Sequence, residues 1–413
     1  LHWDVEMPQL EKSKEFENRY TGVYYNFTDG EVESLSPTSD ESEELSTGVK
    51  WIAYKQQFFS SVLIAQEPFD NAHVSSNTST TVGYLKNASS EIALPYTGKA
   101  IEQYDMQFFF GPNSYPVLRD YDKQYKNSHG EEIYLHKLVD LGWKWIAWFN
   151  RYIVIPIFNF LEANVTRNYG LIIFLLTLIV KLILSPLTYK SYLSQAKMRV
   201  LKPQVDEINK KIPADRAMER QQAMMKLYKQ AGVNPMGGCL PLLLQMPILI
   251  ALFYFFPGAI ELRQKSFLWA KDLASYDSIA TLPFNIPFYG DHVSLFCLLM
   301  TATNIIYMIM NQKNQPQNDQ MKGMQFMMYL MPIMFLFIFN NYSSGLSYYY
   351  FITTLITIFQ TWVIRRFVDD KKLLRQIELA KSKPIKKSRF QQRLEEMQKI
   401  QEQRIREQQK RRK

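Results

Sequence analysis

One lysine inside a long apolar run is the residue best suited to a chemical role. Lys181 lies near the middle of residues 170–188, and Thr177, Ser185 and Thr188 precede or follow it at intervals of four, four and three residues. This spacing places the four polar side chains on one face of a helix. A lysine at a bilayer centre costs about 2.5–3.5 kcal/mol, so it is retained where it faces water or a partner.

Polar residues in the other apolar runs are candidates to share that face. They are Gln245, Asn304, Tyr349 and Tyr350. A proton relay or a cation site would use carboxylates, but the apolar runs contain no Asp or Glu. We therefore expect a hydrated cationic groove that attracts acidic segments, with no catalytic residue and no metal. The alternative is a lysine that snorkels to the nearby interface at Tyr189.

Five apolar runs are long enough to cross a bilayer, and together they predict an α-helical membrane bundle over residues 166–368. The runs cover residues 170–188, 236–256, 293–310, 324–340 and 345–364. Residues 141–165 carry Trp143, Trp145 and Trp148 but are interrupted by Lys144 and Arg151. Because tryptophan and arginine favour the headgroup level, we expect an amphipathic interfacial helix there, with a sixth span as the alternative.

Residues 1–140 have a different composition. They contain 22 acidic and 11 basic side chains, in a chain that has 39 acidic and 48 basic residues and a net charge of +9. Short runs rich in Val, Tyr, Phe, Thr and Ile alternate with turn signals, which predicts an all-β domain. Trp51–Tyr54 indicate a buried strand or short helix, and Met106–Phe110 indicate a strand. The two cysteines, Cys239 and Cys297, both lie in apolar runs, which excludes a disulfide scaffold and a cysteine zinc site.

The basic residues set the expected orientation. Residues 189–235 carry ten Lys and Arg, among them Lys197, Arg199, Lys210 and Lys211, and residues 369–413 are densely basic. With five spans, both segments lie on the cytoplasmic side and the β domain lies outside. Because the chain begins at Leu1 without a signal-like stretch, we also expect an anchor or signal upstream.

Residues 189–235 predict a helical hairpin. In the first helix Leu201, Val205, Ile208 and Ile212 form an apolar stripe, and in the second Met218, Met225 and Tyr228 do so. The alternative is a simple connector whose basic residues reflect only the general excess of Lys and Arg in cytoplasmic loops. The tail, residues 369–413, predicts a charged segment that binds anionic lipid or RNA phosphates, with a merely solvated tail as the alternative.

Several strings in the second half resemble the YidC membrane protein insertases of bacteria. They are LIVKLILSPLT at Leu178–Thr188, AKMR at Ala196–Arg199, VNPMGGCLP at Val233–Pro241, QMPI at Gln245–Ile248, ELR at Glu261–Arg263 and SGL at Ser344–Leu346. They occur in the family's order, with its spacers. The first half is similar to the exported β-sandwich domain of Gram-negative members.

The resemblance implies a non-enzymatic insertase and chaperone of the inner membrane, without a cofactor. It implies that Lys181 stands where the family has its groove arginine, which keeps the charge but loses the bidentate fork. Thr177, Gln245, Tyr349 and Tyr350 fall at or near groove-lining positions. Implied partners are nascent membrane proteins, the Sec translocon, the ribosome and membrane lipids.

Two other classes of protein remain as alternatives. A small-solute transporter or channel with a periplasmic accessory domain would show inverted repeats, intramembrane carboxylates or a broken-helix ion site, and the sequence shows none of these features. A purely structural anchor for the β domain leaves Lys181 and the basic hairpin unexplained.

Overall fold

The structure is a computed structural model that describes residues 1–96, 98, 100–126, 130–213, 216–233, 240–312 and 322–381. The chain forms two compact units. The first unit contains residues 1–185, 242–309 and 323–360, and the second contains residues 186–241, 310–322 and 361–413.

The N-terminal part of the first unit is a β-sandwich, as the sequence predicts. Its strands are β1 (His2–Pro8), β2 (Gly22–Phe27), β3 (Val32–Ser34), β4 (Glu41–Leu45), β5 (Val49–Lys55), β6 (Phe59–Phe69), β7 (Ala72–Thr78), β8 (Tyr84–Ile92) and β9 (Met106–Pro112). They pair antiparallel in two sheets, with orders β1-β8-β7-β4 and β3-β2-β5-β6-β9. Side chains of both sheets, such as Val74 and Leu63, share one core. A short helix, α1 (Lys14–Asn18), precedes β2.

Strand β5 is buried along its whole length, which settles the open choice at Trp51–Tyr54 in favour of a strand. Ile52 and Tyr54 face the core between the sheets. Trp51 and Ala53 face the opposite side, where they pack beneath helix α2 (Tyr115–Gln124) and a 3-10 turn at Leu135–Leu138. Both faces of this central strand are therefore covered, so all of its side chains are buried.

The segment after the sandwich is helical but irregular. Helix α3 (Lys144–Phe149) passes through a π turn at Asn150–Val154 into α4 (Ile155–Asn164). Pro156 lacks the N–H that would continue the regular ladder, which accounts for the break. Trp143, Trp145 and Trp148 are more than half exposed. An exposed tryptophan row suits an interfacial helix, and that placement stays a prediction.

Among the residues that the structure describes, five long helices correspond to the apolar runs of the second half. They are α5 (Tyr169–Val200), α8 (Leu240–Gly258), α9 (Leu295–Gln312), α10 (Lys322–Phe339) and α11 (Ser344–Phe367). By length and composition alone, α5 qualifies to cross a membrane, and α11 qualifies together with Asp370–Leu379, from which it is bent by 71°. Gln245–Gly258, Leu295–Asn311 and Tyr329–Phe339 are shorter apolar helical stretches. Four helices match the expected runs in position, whereas α5 continues through Val200, twelve residues beyond the expected end of its run. The count of five spans stays a prediction.

The loop between α8 and α9 contains a hairpin of β10 (Ala280–Ile286) and β11 (Gly290–Val293). In the first unit the helices share a core with α4 that includes Ile173, Phe256, Phe296 and Tyr349. This core brings α5, α8, α9 and α11 together around the residues that the sequence singles out.

The second unit contains α6 (Lys202–Lys211), α7 (Ala217–Gln230) and α12 (Asp370–Lys381), packed with the last turns of α5. The stripe predicted for the first hairpin helix is correct, because Leu201 and Val205 are buried. The stripe predicted for the second helix is wrong at Met218 and Met225, which are 73% and 42% exposed. The prediction is correct at Tyr228, which α7 buries together with Leu227, because the packing face of the helix is rotated from the methionines.

Three parts of the predictions lie outside the described residues. They are the start of the second span at 236–239, the connection at 313–321 between the third and fourth spans, and the tail beyond residue 381.

Candidate functional site

The side chain of Lys181 points into the helix bundle. Its Nζ donates to Gln245 Oε1 of α8 at 3.1 Å and to Thr357 Oγ1 of α11 at 2.7 Å. The residue is 5% exposed. A lysine that snorkels would direct its amine along its own helix towards the interface. The observed direction is across the bundle, so the snorkelling alternative does not describe this side chain.

The lysine is held by neutral groups. An ammonium has three N–H donors, and two of them have acceptors among the described residues. The third has no acceptor in that part of the chain, and no described carboxylate lies within ion-pair distance of Nζ. The site therefore carries an uncompensated positive charge with one donor direction left for water or an acidic group.

Gln360 extends the polar cluster by one turn of α11. Its Nε2 lies 3.5 Å from the carbonyl oxygen of Lys181, at the long limit of a hydrogen bond. Its Oε1 is buried and has no hydrogen-bond partner among the described residues. A buried amide oxygen of this kind usually binds water, so the cluster has a second polar group suited to hydration.

The other residues predicted for the site lie around it in different ways. Thr177 is fully buried, and its hydroxyl donates to the carbonyl of Ile173 in its own helix at 2.6 Å. Ser185 is half-buried, one turn beyond Lys181. Asn304 Oδ1 accepts a hydrogen bond from Thr354 at 3.3 Å. The structure thus joins Gln245 directly to Lys181 but gives Thr177 and Asn304 other partners.

The two predicted tyrosines belong to the aromatic packing of the bundle. Tyr349 is 1% exposed and its ring lies 5.8 Å from that of Phe256. Tyr350 is half-buried, with its ring 5.5 Å from Phe339. These rings support the position of α11 rather than contact Lys181, and their role as groove-lining residues stays a prediction.

Sequence reasoning missed Thr357 and Thr354. The signal that would have found them is the spacing on α11, because Thr353, Thr357 and Gln360 recur at intervals of four and three residues. This is the same interval that singles out the polar face of α5. The threonines were overlooked because hydroxyls are common in membrane helices and bond to their own backbone, as Thr357 also does with Thr353 at 2.7 Å.

The predicted contact cations of the hairpin lie in the second unit. Lys210 and Lys211 are exposed at the end of α6, and Lys197 is half-buried. Arg199 forms an ion pair with Asp370, with Nη2 and Oδ1 2.7 Å apart. Arg199 is therefore engaged within the unit, whereas Lys210 and Lys211 are available to a partner.

A buried arginine links the two helices of the hairpin by hydrogen bonds. Arg220 is 7% exposed, and its guanidinium donates to the carbonyl oxygens of Ile212 at 2.7 Å and Asn209 at 3.1 Å. These carbonyls belong to the end of α6, where backbone acceptors lack helical partners. The arginine thereby joins α7 to the C-terminus of α6 and complements its dipole.

A polar cluster closes the first unit at the ends of α9 and α10. Asp277 is 3% exposed and accepts hydrogen bonds from the backbone N–H groups of Leu295 and Phe296 at the start of α9. Asn340 is fully buried; it donates to the carbonyls of Tyr289 and His292 and accepts from the N–H of Ser294. These contacts fix the β10–β11 hairpin against the helix ends.

Hydrogen bonds also join the sandwich to the end of α8. Gln57 Nε2 donates to the carbonyl of Pro257 at 2.8 Å, and Arg263 Nε donates to Glu11 Oε1 at 2.6 Å. Ser114 donates to Glu261 at 3.1 Å. Burial raises the pKa of the Glu261 carboxyl above its ordinary 4.5. No group of three or more metal-ligating side chains occurs among the described residues.

Family models match almost the whole chain. Residues 160–372 match the model described as 60Kd inner membrane protein, and residues 1–156 match the model described as YidC periplasmic domain. The chain belongs to the YidC family. This confirms the resemblance that rests on the strings around Lys181 and Gln245. It also identifies the sandwich as a periplasmic domain and the helical part as a component of the inner membrane.

Three relatives from this family align with nearly the whole of this chain. "Membrane protein insertase YidC" of Parabacteroides distasonis is 50% identical over 99% of this chain and 65% of its own length. The protein of the same name from Bacteroides fragilis is 48% identical over 98% of this chain and 65% of its own length. That of Porphyromonas gingivalis is 44% identical over 100% of this chain and 67% of its own length. The chain thus spans about two thirds of the length of these YidC proteins.

Proposed function

We propose that this chain inserts nascent transmembrane segments into the inner membrane and acts on them as a chaperone. The observation that carries the proposal is the Lys181 amine, which lies inside an apolar bundle between Gln245 and Thr357 without a described carboxylate partner. Such a charge costs folding free energy, so its retention indicates a function. The names of the relatives support the same activity.

The chemistry of the proposed groove follows from that charge. Acidic residues that flank a client segment are attracted to Lys181 in a medium of low dielectric constant, where the interaction is stronger than in water. Water near Lys181 and Gln360 lowers the cost of bringing the client's polar flank into the membrane. Release follows when the client's apolar segment moves into lipid.

The proposed orientation is that of a groove open to the cytoplasm and closed on the periplasmic side. The cluster of Asp277 and Asn340 supports closure, because it ties the loop between α8 and α9 to the ends of α9 and α10. The family's periplasmic domain lies at the sandwich. We therefore place residues 1–140 in the periplasm, residues 141–165 at the interface, the five spans within 166–368, and residues 369–413 in the cytoplasm.

Partners follow from the same arrangement. We propose that the exposed Lys210 and Lys211 and the basic tail contact the ribosome or anionic lipid, and that the chain acts alone or beside the Sec translocon. No cofactor and no enzymatic step are needed, because lipid burial of the client drives the reaction. The alternative, a small-solute transporter or channel, would need an acidic coupling residue, and none of the described residues in contact with Lys181 is acidic.

The direct test uses purified full chain in proteoliposomes that contain no other protein. A single-span client with acidic flanking residues is synthesised in their presence, and insertion is scored by protease protection. We expect several-fold more protected client than in liposomes that carry an equal mass of an unrelated multispan protein. Equal protection in the two preparations would contradict an autonomous insertase.

Topology is tested by single cysteines at positions 75 and 388, introduced as Ser75→Cys and Ser388→Cys in a background without Cys239 and Cys297. An impermeant thiol reagent applied to spheroplasts should label the first site and should reach the second only after lysis. Labelling of both sites from one side would contradict the count of five spans.

A further inference from the structure

The β10–β11 hairpin between α8 and α9 has an uncharged tip with exposed apolar side chains. Residues 278–290 contain no Asp, Glu, Lys, Arg or His. Phe288 is 90% exposed, and Phe284 and Ile279 are more than half exposed. A single exposed apolar residue needs no explanation, but several large ones on one short hairpin indicate a surface that meets an apolar partner.

The turn at the tip has a residue that its backbone does not favour. The N–H of Tyr289 donates to the carbonyl of Ile286 at 3.0 Å, with Pro287 and Phe288 between them, and Phe288 has a φ of 67°. Proline followed by a residue with positive φ is the pattern of a type II turn, whose third position usually has Gly or Asn. A bulky aromatic residue there strains the backbone. Its presence therefore indicates a role for the exposed ring.

The hairpin is fixed to the end of α10. Tyr289, next to Phe288, is buried, and its ring lies 5.5 Å from the ring of Phe337 in α10. Its carbonyl accepts a hydrogen bond from the Asn340 amide at 2.8 Å. Gly290 has a φ of 103°, a conformation that favours glycine and lets the chain turn back towards α9. The position of the exposed tip is therefore set by α10.

The end of α10 that holds the hairpin also has an exposed apolar face. Ile333, Met334, Phe337 and Ile338 are all exposed. In a component of the inner membrane, an apolar helix face of this kind meets lipid. Phe337 belongs to that face and contacts Tyr289, so the tip of the hairpin continues the surface that faces lipid.

The hairpin lies at the end of the helices that contacts the periplasmic domain. Lys12 of that domain donates to the carbonyl of Tyr276, just before the hairpin, at 3.3 Å. Arg19 donates to the hydroxyl of Tyr342, in the turn between α10 and α11, at 3.4 Å. Both residues belong to the part of the chain that matches the family's periplasmic domain. The leaflet nearest the hairpin is therefore the outer one.

We propose that the hairpin tip, centred on Phe284 and Phe288, inserts into the headgroup region of the outer leaflet of the inner membrane. Aromatic rings favour this level of a bilayer, and an uncharged segment enters it without desolvation of a charge. Because Asn340 ties the hairpin to α10, the inserted tip holds the periplasmic end of that helix at a fixed depth. The inference depends on α10 as a membrane helix and not on the proposed insertase activity.

The test places an environment-sensitive fluorophore on the full chain at Phe288→Cys, in a background without Cys239 and Cys297. The protein is studied in nanodiscs of phosphatidylethanolamine and phosphatidylglycerol, with one quencher attached to lipid near the headgroup and iodide as a quencher in water. The matched control is Phe110→Cys, at a phenylalanine of sandwich strand β9 that is 70% exposed. We expect the lipid quencher to act several-fold more strongly at position 288 than at position 110, and iodide to show the opposite preference.

A second set of variants separates contact with lipid from folding. Phe288→Asn removes the ring but keeps a residue that tolerates positive φ, so its melting temperature in detergent should equal or exceed that of wild type. Phe288→Trp keeps an aromatic ring suited to the interface. With the fluorophore at Phe284→Cys, quenching by the lipid should fall in Phe288→Asn and persist in Phe288→Trp.

The two quenchers distinguish the possible surroundings of the tip. Strong lipid quenching with weak iodide quenching at position 288 supports insertion. Iodide quenching equal to that at position 110 would show that the tip lies in water and would overturn the proposal. Protection from both quenchers would indicate that another copy of the chain covers the tip, which would also overturn it. Equal lipid quenching of the label at position 284 with and without Phe288→Asn would contradict the role of Phe288.

Discussion

The Nζ of Lys181 and the hydroxyl of Thr357 lie 2.7 Å apart, although the two residues are separated by 176 positions in the chain. This hydrogen bond joins the first and the last of the five apolar helices. It holds the charge inside the bundle, where the cost of burial is highest and the attraction for an acidic client is strongest.

Thr357→Val should destabilise the protein, because the ammonium of Lys181 then loses one of its two acceptors. We expect a loss of about 1–3 kcal/mol in the free energy of unfolding, the cost of leaving a buried donor without a partner. Thermal unfolding in detergent measures it. The matched control is Thr361→Val, one turn further along the same helix, which should change stability by less than about 0.5 kcal/mol. Equal melting temperatures for the two variants would contradict the assigned contact.

Glu261→Gln should stabilise the protein at neutral pH. Burial raises the pKa of Glu261 in the folded state above 4.5, so the stability that the protonated form contributes is complete below pH 4.5 and is lost as the pH rises through the folded pKa. Glutamine keeps the acceptor for Ser114 without the charge. The melting temperature of Glu261→Gln should therefore match wild type at acidic pH and exceed it at pH 7. Glu15→Gln, at an exposed carboxylate, is the control, and a parallel pH profile for Glu261→Gln and wild type would refute the prediction.

Asn340→Leu should loosen the closed end of the first unit. The substitution leaves the carbonyls of Tyr289 and His292 and the N–H of Ser294 without their side-chain partner. Since each orphaned buried group costs about 1–3 kcal/mol, we expect a loss of about 3 kcal/mol or more. Limited proteolysis should then cut within residues 277–294 faster than in wild type. Asn164→Leu changes an exposed asparagine and should leave the cutting rate unchanged; equal rates for both variants would speak against the role of Asn340.

Removal of residues 382–413 should weaken binding to ribosomes at low salt while preserving the fold. The cut after Lys381 keeps α12, whose Leu373 and Ile377 are buried in the second unit. Binding by a basic segment depends steeply on salt because each phosphate contact releases counterions. Co-sedimentation with ribosomes over a salt series measures the slope. If the truncated and full chains show the same affinity and slope, the tail is merely solvated.

Local pattern predicts much of the fold. The uniformly apolar stretch at Trp51–Tyr54 predicts burial, and the alternation of short β runs with turns predicts the sandwich. The apolar runs place four of the helices within a few residues of their observed positions, whereas α5 continues twelve residues past the end of its run, to Val200. These features follow from periodicity and composition, which act over one element at a time.

Contacts between residues that are far apart in the sequence could not be predicted in this way. Nothing near Gln57 indicates that its amide reaches the carbonyl of Pro257, because the contact depends on the docking of the sandwich on α8. The face of α7 was misassigned for a related reason. Met218 and Met225 are apolar at the expected interval, yet the neighbouring helices cover Leu227 beside the correctly predicted Tyr228 and leave both methionines exposed. Of the site, the charge and Gln245 were predicted, whereas Thr357 required the packing of α11 against α5.

The most direct test of the proposed groove varies the charge at position 181 together with the charge of the residues that flank the client segment. Wild type, Lys181→Arg, Lys181→Ala and Lys181→Glu are compared in proteoliposomes at equal protein amounts, with one client that carries acidic flanking residues and one that carries basic flanking residues. We expect Lys181→Arg to insert the acidic client as wild type does, Lys181→Ala to insert less, and Lys181→Glu to insert least, because it repels the flank. The preference of Lys181→Glu should shift towards the basic client. Insertion of the acidic client by Lys181→Glu at the wild-type level would contradict the claim that a positive charge at this position receives the client.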